Sequence, residues 1–268
     1  MASDLSLFQA VILAVVQGAT EFLPISSSGH LVLMRQLFNW SDEGGLVFDT
    51  VLHAGSLLAL LIYFWRTWRD IIAGYFRFHS IERAPERRLP WLLVTATIPV
   101  VLAAPWLKSF LESEATTRNS LAVGLSMVAT AALFWLCDLR FRPSGKPVGF
   151  TDALLIGLMQ IVALLPGASR SGWTTSGGIL TGQTRESAVR FAFLMAVPAI
   201  AGAILFQARD ILDLGLIIMA PLQLLTAFAV SFVVSLLAIH FCLVYFRRHS
   251  LRFFSIYLAL VGLLAIAL

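Results

Sequence analysis

Charge is scarce in this chain: Asp, Glu, Lys and Arg make up 13% of 268 residues, against 59% hydrophobic, and mean hydropathy is +0.86. Soluble domains carry about a quarter of their residues as charges, so the composition excludes one and reads as an integral membrane protein. Strict apolar–polar alternation is also rare. That excludes a β-barrel and leaves helices, which satisfy their own backbone groups in lipid. Only two cysteines occur, Cys137 and Cys242, each inside an apolar run, so neither a disulfide framework nor a cysteine metal site is expected. There is no Walker phosphate loop, no Gly-rich dinucleotide fingerprint and no His-Glu-x-x-His motif. Platforms of interleaved aromatic and basic residues are missing too, so the net charge of +4 implies no nucleic-acid partner. The N-terminus holds Asp4 and no basic n-region, and is read as mature structure rather than a signal peptide.

What the chain does contain is the same interruption twice. Gln17-Gly18-Ala19-Thr20-Glu21-Phe22-Leu23-Pro24-Ile25-Ser26-Ser27-Ser28-Gly29-His30 is answered by Gln160-Ile161-Val162-Ala163-Leu164-Leu165-Pro166-Gly167-Ala168-Ser169-Arg170-Ser171-Gly172. The glutamines are 143 residues apart, the prolines 142 and the Ser-Gly pairs again 143, so a one-residue shift aligns the whole block. This is an internal repeat. Paired, broken apolar segments in the two halves of a membrane protein point to a binding site at the repeat interface.

Apolar runs of spanning length lie at about 46–65, 90–107, 120–137, 190–207, 221–244 and 252–268. The two broken blocks, about 4–38 and 150–183, fit pairs of half-helices better than spans. The expected fold is therefore an all-α integral membrane protein of about six transmembrane helices and two re-entrant helical hairpins. It forms a single membrane domain, 1–268, in which repeat 1 covers about 4–137 and repeat 2 about 150–268. With re-entrant blocks, fourteen of the nineteen basic residues fall on one side, in loops 66–88, 140–146, 185–190 and 247–252, and Arg35, Lys108, Arg118 and Arg209 on the other. The richer side is expected to be cytoplasmic, with both termini outside. The first block then dips in from outside and the second from the cytoplasm. The repeats are inverted, and their elbows can meet near mid-membrane.

Arg170 is the one basic residue left, set inside a motif at membrane depth, where an unpaired charge costs about 2.5–3.5 kcal/mol and calls for a partner or a cavity. Two readings stand. One is an anion clamp, with the guanidinium fork and the amides of a Gly167-Ala168-Ser169 helix start around phosphate. The other is a structural ion pair with Glu21. Gln17 and Glu21 share a helix face at i, i+4 and suit a hard cation such as Mg2+ or Ca2+; a general base or the ion pair are the metal-free readings. Ser26, Ser27 and Ser28 follow the Pro24 break, and a serine with His30 three residues on reads as nucleophile and proton shuttle. Ser27, which matches Ser169 by the proline alignment, is the favoured nucleophile. His53, Gly55 and Ser56 open the next apolar helix, where a close helix contact is favoured over a supporting role in the site. Arg118, Glu112, Glu114 and Asp213 read as solvated loop residues.

These residues carry a resemblance. Gln17-x-x-x-Glu21 running into Phe22 to His30, together with Pro166-Gly167-Ala168-Ser169-Arg170-Ser171-Gly172-Trp173-Thr174, resembles the bacterial undecaprenyl-diphosphate phosphatases of the UppP/BacA family, whose pattern admits Glu or Gln at the place of Gln17. The likeness covers essentially the whole chain. It implies hydrolysis of undecaprenyl diphosphate to the monophosphate carrier and phosphate at the outer face of the bacterial cytoplasmic membrane. Carrier recycling for peptidoglycan, bacitracin resistance when abundant and dependence on a divalent cation are implied as well. The expected site is Glu21, Ser27, His30 and Arg170 for catalysis, Ser26, Ser28, Gly167, Ser169, Arg170, Ser171 and Thr174 for the phosphates, and Glu21 with Gln17 for the metal. Expected partners are the lipid substrate and membrane lipids, with a homodimer left open. A transporter or flippase of a polyprenyl phosphate is the rival reading, since broken helices in inverted repeats are its usual architecture.

Overall fold

The computed structural model describes residues 5–40, 45–76, 88–111, 119–214 and 221–268. Glu112, Glu114 and Arg118 lie outside them, and Asp213 lies on a helix whose side chains there are not described. Among the described residues there are eleven helices and no strand: α1 Leu7–Thr20, α2 Ser27–Leu37, α3 Gly45–Tyr63, α4 Trp65–Phe76, α5 Leu89–Leu111, α6 Ser120–Leu139, α7 Phe150–Val162, α8 Arg170–Leu180, α9 Arg185–Leu214, α10 Pro221–Tyr245 and α11 Arg252–Ala267. Five, within α3, α5, α6, α9 and α10, are long and apolar enough to cross a membrane. The chain is an all-α, multi-pass membrane protein. The sixth expected span is α11, whose 16 residues reach about 24 Å at 1.5 Å per residue, short of the ~30 Å hydrocarbon core.

The two broken blocks fold as the hydroxyls and prolines dictate. Each is a pair of short helices lying against one another, α1 with α2 and α7 with α8. The serine after each break caps the second helix: Ser26 Oγ accepts from Gly29 N at 3.3 Å and Ser169 Oγ from Gly172 N at 3.1 Å. Contacts repeat between the halves. α1 lies on α10 as α7 lies on α5, α3 lies on α10 as α9 lies on α5, and α6 meets α11 as α3 meets α9.

Small residues set the closest approaches, as they must where apolar burial alone does not drive helices together. A Cβ on Gly262 would lie 2.8 Å from the Gly124 carbonyl oxygen, which seats α11 on α6. Ser56 on α3 lies 3.2 and 3.0 Å from the hydroxyls of Ser231 and Ser235 on α10, and Ser231 donates to the Leu52 carbonyl at 2.8 Å. The close helix contact expected at Gly55 and Ser56 is this one. Outward faces are apolar, with Trp91, Leu102, Leu205, Leu225, Leu237 and Leu264 exposed. At one end of the bundle the four arginine-rich segments meet: Arg190 donates to Thr67 at 3.2 Å, Arg185 pairs with Asp138 at 2.9 Å, Arg252 approaches Asp138 to 4.0 Å, and Arg247 pairs with Glu186 at 2.9 Å.

Candidate active site

The two elbows touch. Gly29 faces Gly167 so closely that a Cβ on Gly29 would lie 3.0 Å from Gly167 Cα. Ser171 Oγ of the second block donates to the Leu23 carbonyl of the first at 3.1 Å. One residue in each elbow takes positive φ: Gly167 at 88°, where a side chain would also run into the Val123 carbonyl, and Ser26 at 72°. A serine pays for that conformation in strain, and it is braced. His30 Nδ1 lies 2.7 Å from the Ser26 carbonyl oxygen.

Between the elbows Glu21 is buried and fully engaged. Its Oε1 is ion-paired with Arg170, and its Oε2 accepts from Gln17 Nε2 at 2.8 Å and Ser27 Oγ at 2.6 Å. Arg170 also donates to the Ala196 carbonyl at 3.3 Å. Ser27 and Arg170 are the first residues of α2 and α8, so two helix N-termini, where backbone N–H groups lack partners, aim at one carboxylate. They border a cavity of about 960 Å3. Thr20, Glu21, Ser26, Ser27, Ser28, Ala168, Ser169 and Arg170 line it, and so do Arg35, Gln36, Asn39, Trp40, Asp49, Asn119 and Gln207. Arg35 is bound there by Asp49 through two hydrogen bonds, at 2.6 and 3.1 Å.

Most expected site residues converge, and several differ in detail. The ion-pair reading of Arg170 is realised in this state, in the same cavity that the anion reading needs. Ser27 corresponds to Arg170 and not to Ser169: the caps pair Ser26 with Ser169, because the second elbow has one residue fewer before its proline and one more, Gly167, after it. His30 is not brought to Ser27. Its Nε2 lies 2.7 Å from the Tyr257 hydroxyl, and the ring stacks on Tyr257 with centroids 5.7 Å apart. Ser171 and Thr174 turn away from the cavity, Thr174 Oγ1 donating to the Arg170 carbonyl at 2.8 Å. Gln17 and Glu21, the expected cation pair, lie side by side: Gln17 Nε2 donates to Glu21 Oε2, both Glu21 oxygens have partners within the protein, and Gln17 Oε1 is buried with none. No cluster of three His, Cys, Asp or Glu side chains exists among the described residues.

The residue that sequence reasoning undervalued is His53. It lines the cavity from α3, with Nε2 3.8 Å from Glu21 Oε2 and Nδ1 2.7 Å from the Asp49 carbonyl oxygen. A signal was present, since Asp49 and His53 form a polar i, i+4 pair at the mouth of a spanning run.

A carboxylate on a serine hydroxyl, an arginine beside it and helix N-termini around a cavity can activate a nucleophile and hold an anion. The chain is 40% identical over 264 residues, 97% of each protein, to the undecaprenyl-diphosphatase of Desulforudis audaxviator. It is 39% identical over 267 residues, 98% of each, to that of Moorella thermoacetica, and 36% identical over 279, 98% of each, to that of Methanosphaera stadtmanae. The family model described as bacitracin resistance protein BacA matches residues 10–264, and the chain belongs to that family.

Proposed function

We infer that this protein hydrolyses undecaprenyl diphosphate to undecaprenyl phosphate and phosphate. The observation that carries the chemistry is the hydrogen bond from Ser27 to Glu21, made at the start of α2 and facing Arg170 at the start of α8. A transporter needs an anion site but no serine activated by a carboxylate. The diphosphate enters the cavity, and Arg170 moves from Glu21 to its oxygens, where a planar fork suits phosphate. Glu21, relieved of its counter-charge, accepts the Ser27 proton. Ser27 Oγ attacks the terminal phosphorus, the bond to the bridging oxygen breaks, and the polyprenyl phosphate leaves as an anion. Arg170, the Ser169 and Arg170 amides and the Ser26 and Ser28 hydroxyls stabilise charge on the transferred group. Water then attacks the phosphoserine. Glu21 returns its proton to Ser27 Oγ as the Oγ–P bond breaks, and phosphate is released.

Because Glu21 is occupied, a divalent cation, Mg2+ or Ca2+, fits as a companion of the diphosphate, taking its ligands from phosphate oxygens and water. The matching contacts of the two halves support inverted repeats over about 4–137 and 150–268. The gathering of the arginine-rich segments at one end supports a cytoplasmic face there, a cavity opening to the outer face of the cytoplasmic membrane, and hence a role in recycling carrier lipid for the cell wall and in bacitracin resistance. His30 serves this scheme by holding the Ser26 elbow. A homodimer is read from the mass of the purified particle in detergent. Phosphate release from a C55 polyprenyl diphosphate by purified wild type, Arg170→Ala and Ser27→Ala tests the function: release by wild type alone supports it, with phosphoserine trapped on Ser27. Release by Ser27→Ala at the wild-type rate makes water the attacking group, and a wild type that binds the lipid without releasing phosphate makes the protein a transporter.

A further inference from the structure

We propose that His53 is a positioning residue of this reaction: its Nε2 receives the hydrogen bond of Glu21 once that carboxylate has taken the proton of Ser27. The inference rests on the phosphatase reading above. His53 stands on α3, one turn after Asp49, and its Nδ1 lies 2.7 Å from the Asp49 carbonyl oxygen. A carbonyl oxygen only accepts, so Nδ1 carries the ring proton and Nε2 of the neutral ring is a bare acceptor. That acceptor points at Glu21 Oε2 from 3.8 Å, and the side chain is 25% exposed, facing the cavity.

Before the reaction Oε2 is filled by Gln17 and Ser27, and His53 Nε2 stands beyond hydrogen-bond length from it. When Ser27 Oγ bonds to phosphorus, its O–H bond breaks and a new O–H bond forms on Oε2. Arg170 is then on the phosphate, and Gln17 faces Oε2 with its N–H, while the new O–H needs an acceptor. His53 Nε2 meets the need after closing by about 1 Å. The proton stays on Glu21, and the hydrogen bond to His53 Nε2 keeps the protonated carboxyl turned away from the phosphoryl oxygens until the proton returns to Ser27. His30 cannot do this, because both its ring nitrogens are engaged by Ser26 and Tyr257.

The test compares wild type, His53→Ala and His53→Gln in detergent for kcat, KM and melting temperature with a C55 diphosphate. Because the bond is made only after proton transfer, His53→Ala lowers kcat by about tenfold to a hundredfold, the cost of leaving the buried O–H of protonated Glu21 without a partner, with KM within about threefold. His53→Gln, whose amide oxygen accepts at similar reach, regains most of kcat; a purely structural role would show in melting and would not split kcat from KM. If His53→Ala does not fold, His53→Asn, too short to reach Oε2, takes its place with the same expectation. Wild-type kcat in His53→Ala, a rise in KM alone, or a His53→Gln no better than His53→Ala overturns the proposal. No release by the wild type fells the phosphatase reading itself, whereas release by wild type and His53→Ala alike fells only this inference.

Discussion

Arg170 and Glu21 allow stability and activity to be pulled apart. The side chains are 18% and 5% exposed, so the pair is largely withdrawn from solvent. Removing one member of such a pair leaves the other charge uncompensated, at a cost of about 3–5 kcal/mol. The cavity beside Arg170 puts Arg170→Gln at the lower end, about 3 kcal/mol, or about 6 °C in melting temperature at roughly 2 °C per kcal/mol. The double variant Glu21→Gln, Arg170→Gln carries no charge at all, and its two amides can hydrogen-bond across the same gap. It recovers to within about 1 kcal/mol of wild type, because replacing a whole buried pair is far less costly than halving it. Activity does not follow. Without the guanidinium on the transferred phosphoryl group the rate falls about a thousandfold or more in both variants. Thermal unfolding in detergent together with phosphate release reads both quantities. A double variant that melts as low as Arg170→Gln, or an Arg170→Gln that melts with wild type, refutes the view that Glu21 is held buried by its counter-charge.

Gly167→Ala places a methyl against the Val123 carbonyl and 2.9 Å from Ser126 Cβ on a backbone at φ 88°; such overpacking costs about 1–3 kcal/mol, and phosphate release drops further than the melting temperature accounts for, since Arg170 is set by this turn. A chelator lowers the rate and Mg2+ or Ca2+ restores it, while Gln17→Met lowers kcat without changing the cation concentration for half-maximal rate. A tenfold change in that concentration would instead make Gln17 a metal ligand. Gln160, the counterpart of Gln17, is buried with neither amide atom hydrogen-bonded. Gln160→Leu is therefore expected to melt no lower than wild type and to keep its activity, because it removes an unpaired buried amide; a loss of activity would give that amide a role that the structure does not show.

The parts of this fold that the sequence carries openly are those fixed within a few residues. Pro24 and Pro166 lack an N–H, and the serines after them cap the next helix, so broken hairpins at both places follow from local chemistry. Arg170 could be assigned a partner because Glu21 is the one acid at comparable depth in the sister motif. The orientation of His30 is not legible in this way, because it is decided by Tyr257, 227 residues away on α11. His53 became a neighbour of Glu21 only through the packing of α3 against α1. The serine register slipped by one because the prolines, the most visible marks of the repeat, are not at equivalent places, whereas the caps are.

The corrected register explains how two similar hairpins make one site instead of two. At the first position of the capped helix one half carries Ser27 and the other Arg170, so in the proposed reaction equivalent backbone places supply the nucleophile and the clamp. Each helix start lends its N–H groups to the same cavity. A hydroxyl in both halves would leave the diphosphate charge unanswered, and a guanidinium in both would leave nothing to attack phosphorus. The turn before the break differs to match. Glu21 in the first half corresponds to Leu164 in the second, so only one carboxylate enters the cavity at this depth, and one arginine suffices to balance it when no substrate is present. In the proposed reaction the contact between Glu21 and Arg170 is thus the resting form of the site, and the arriving diphosphate competes for an arginine that is already in place.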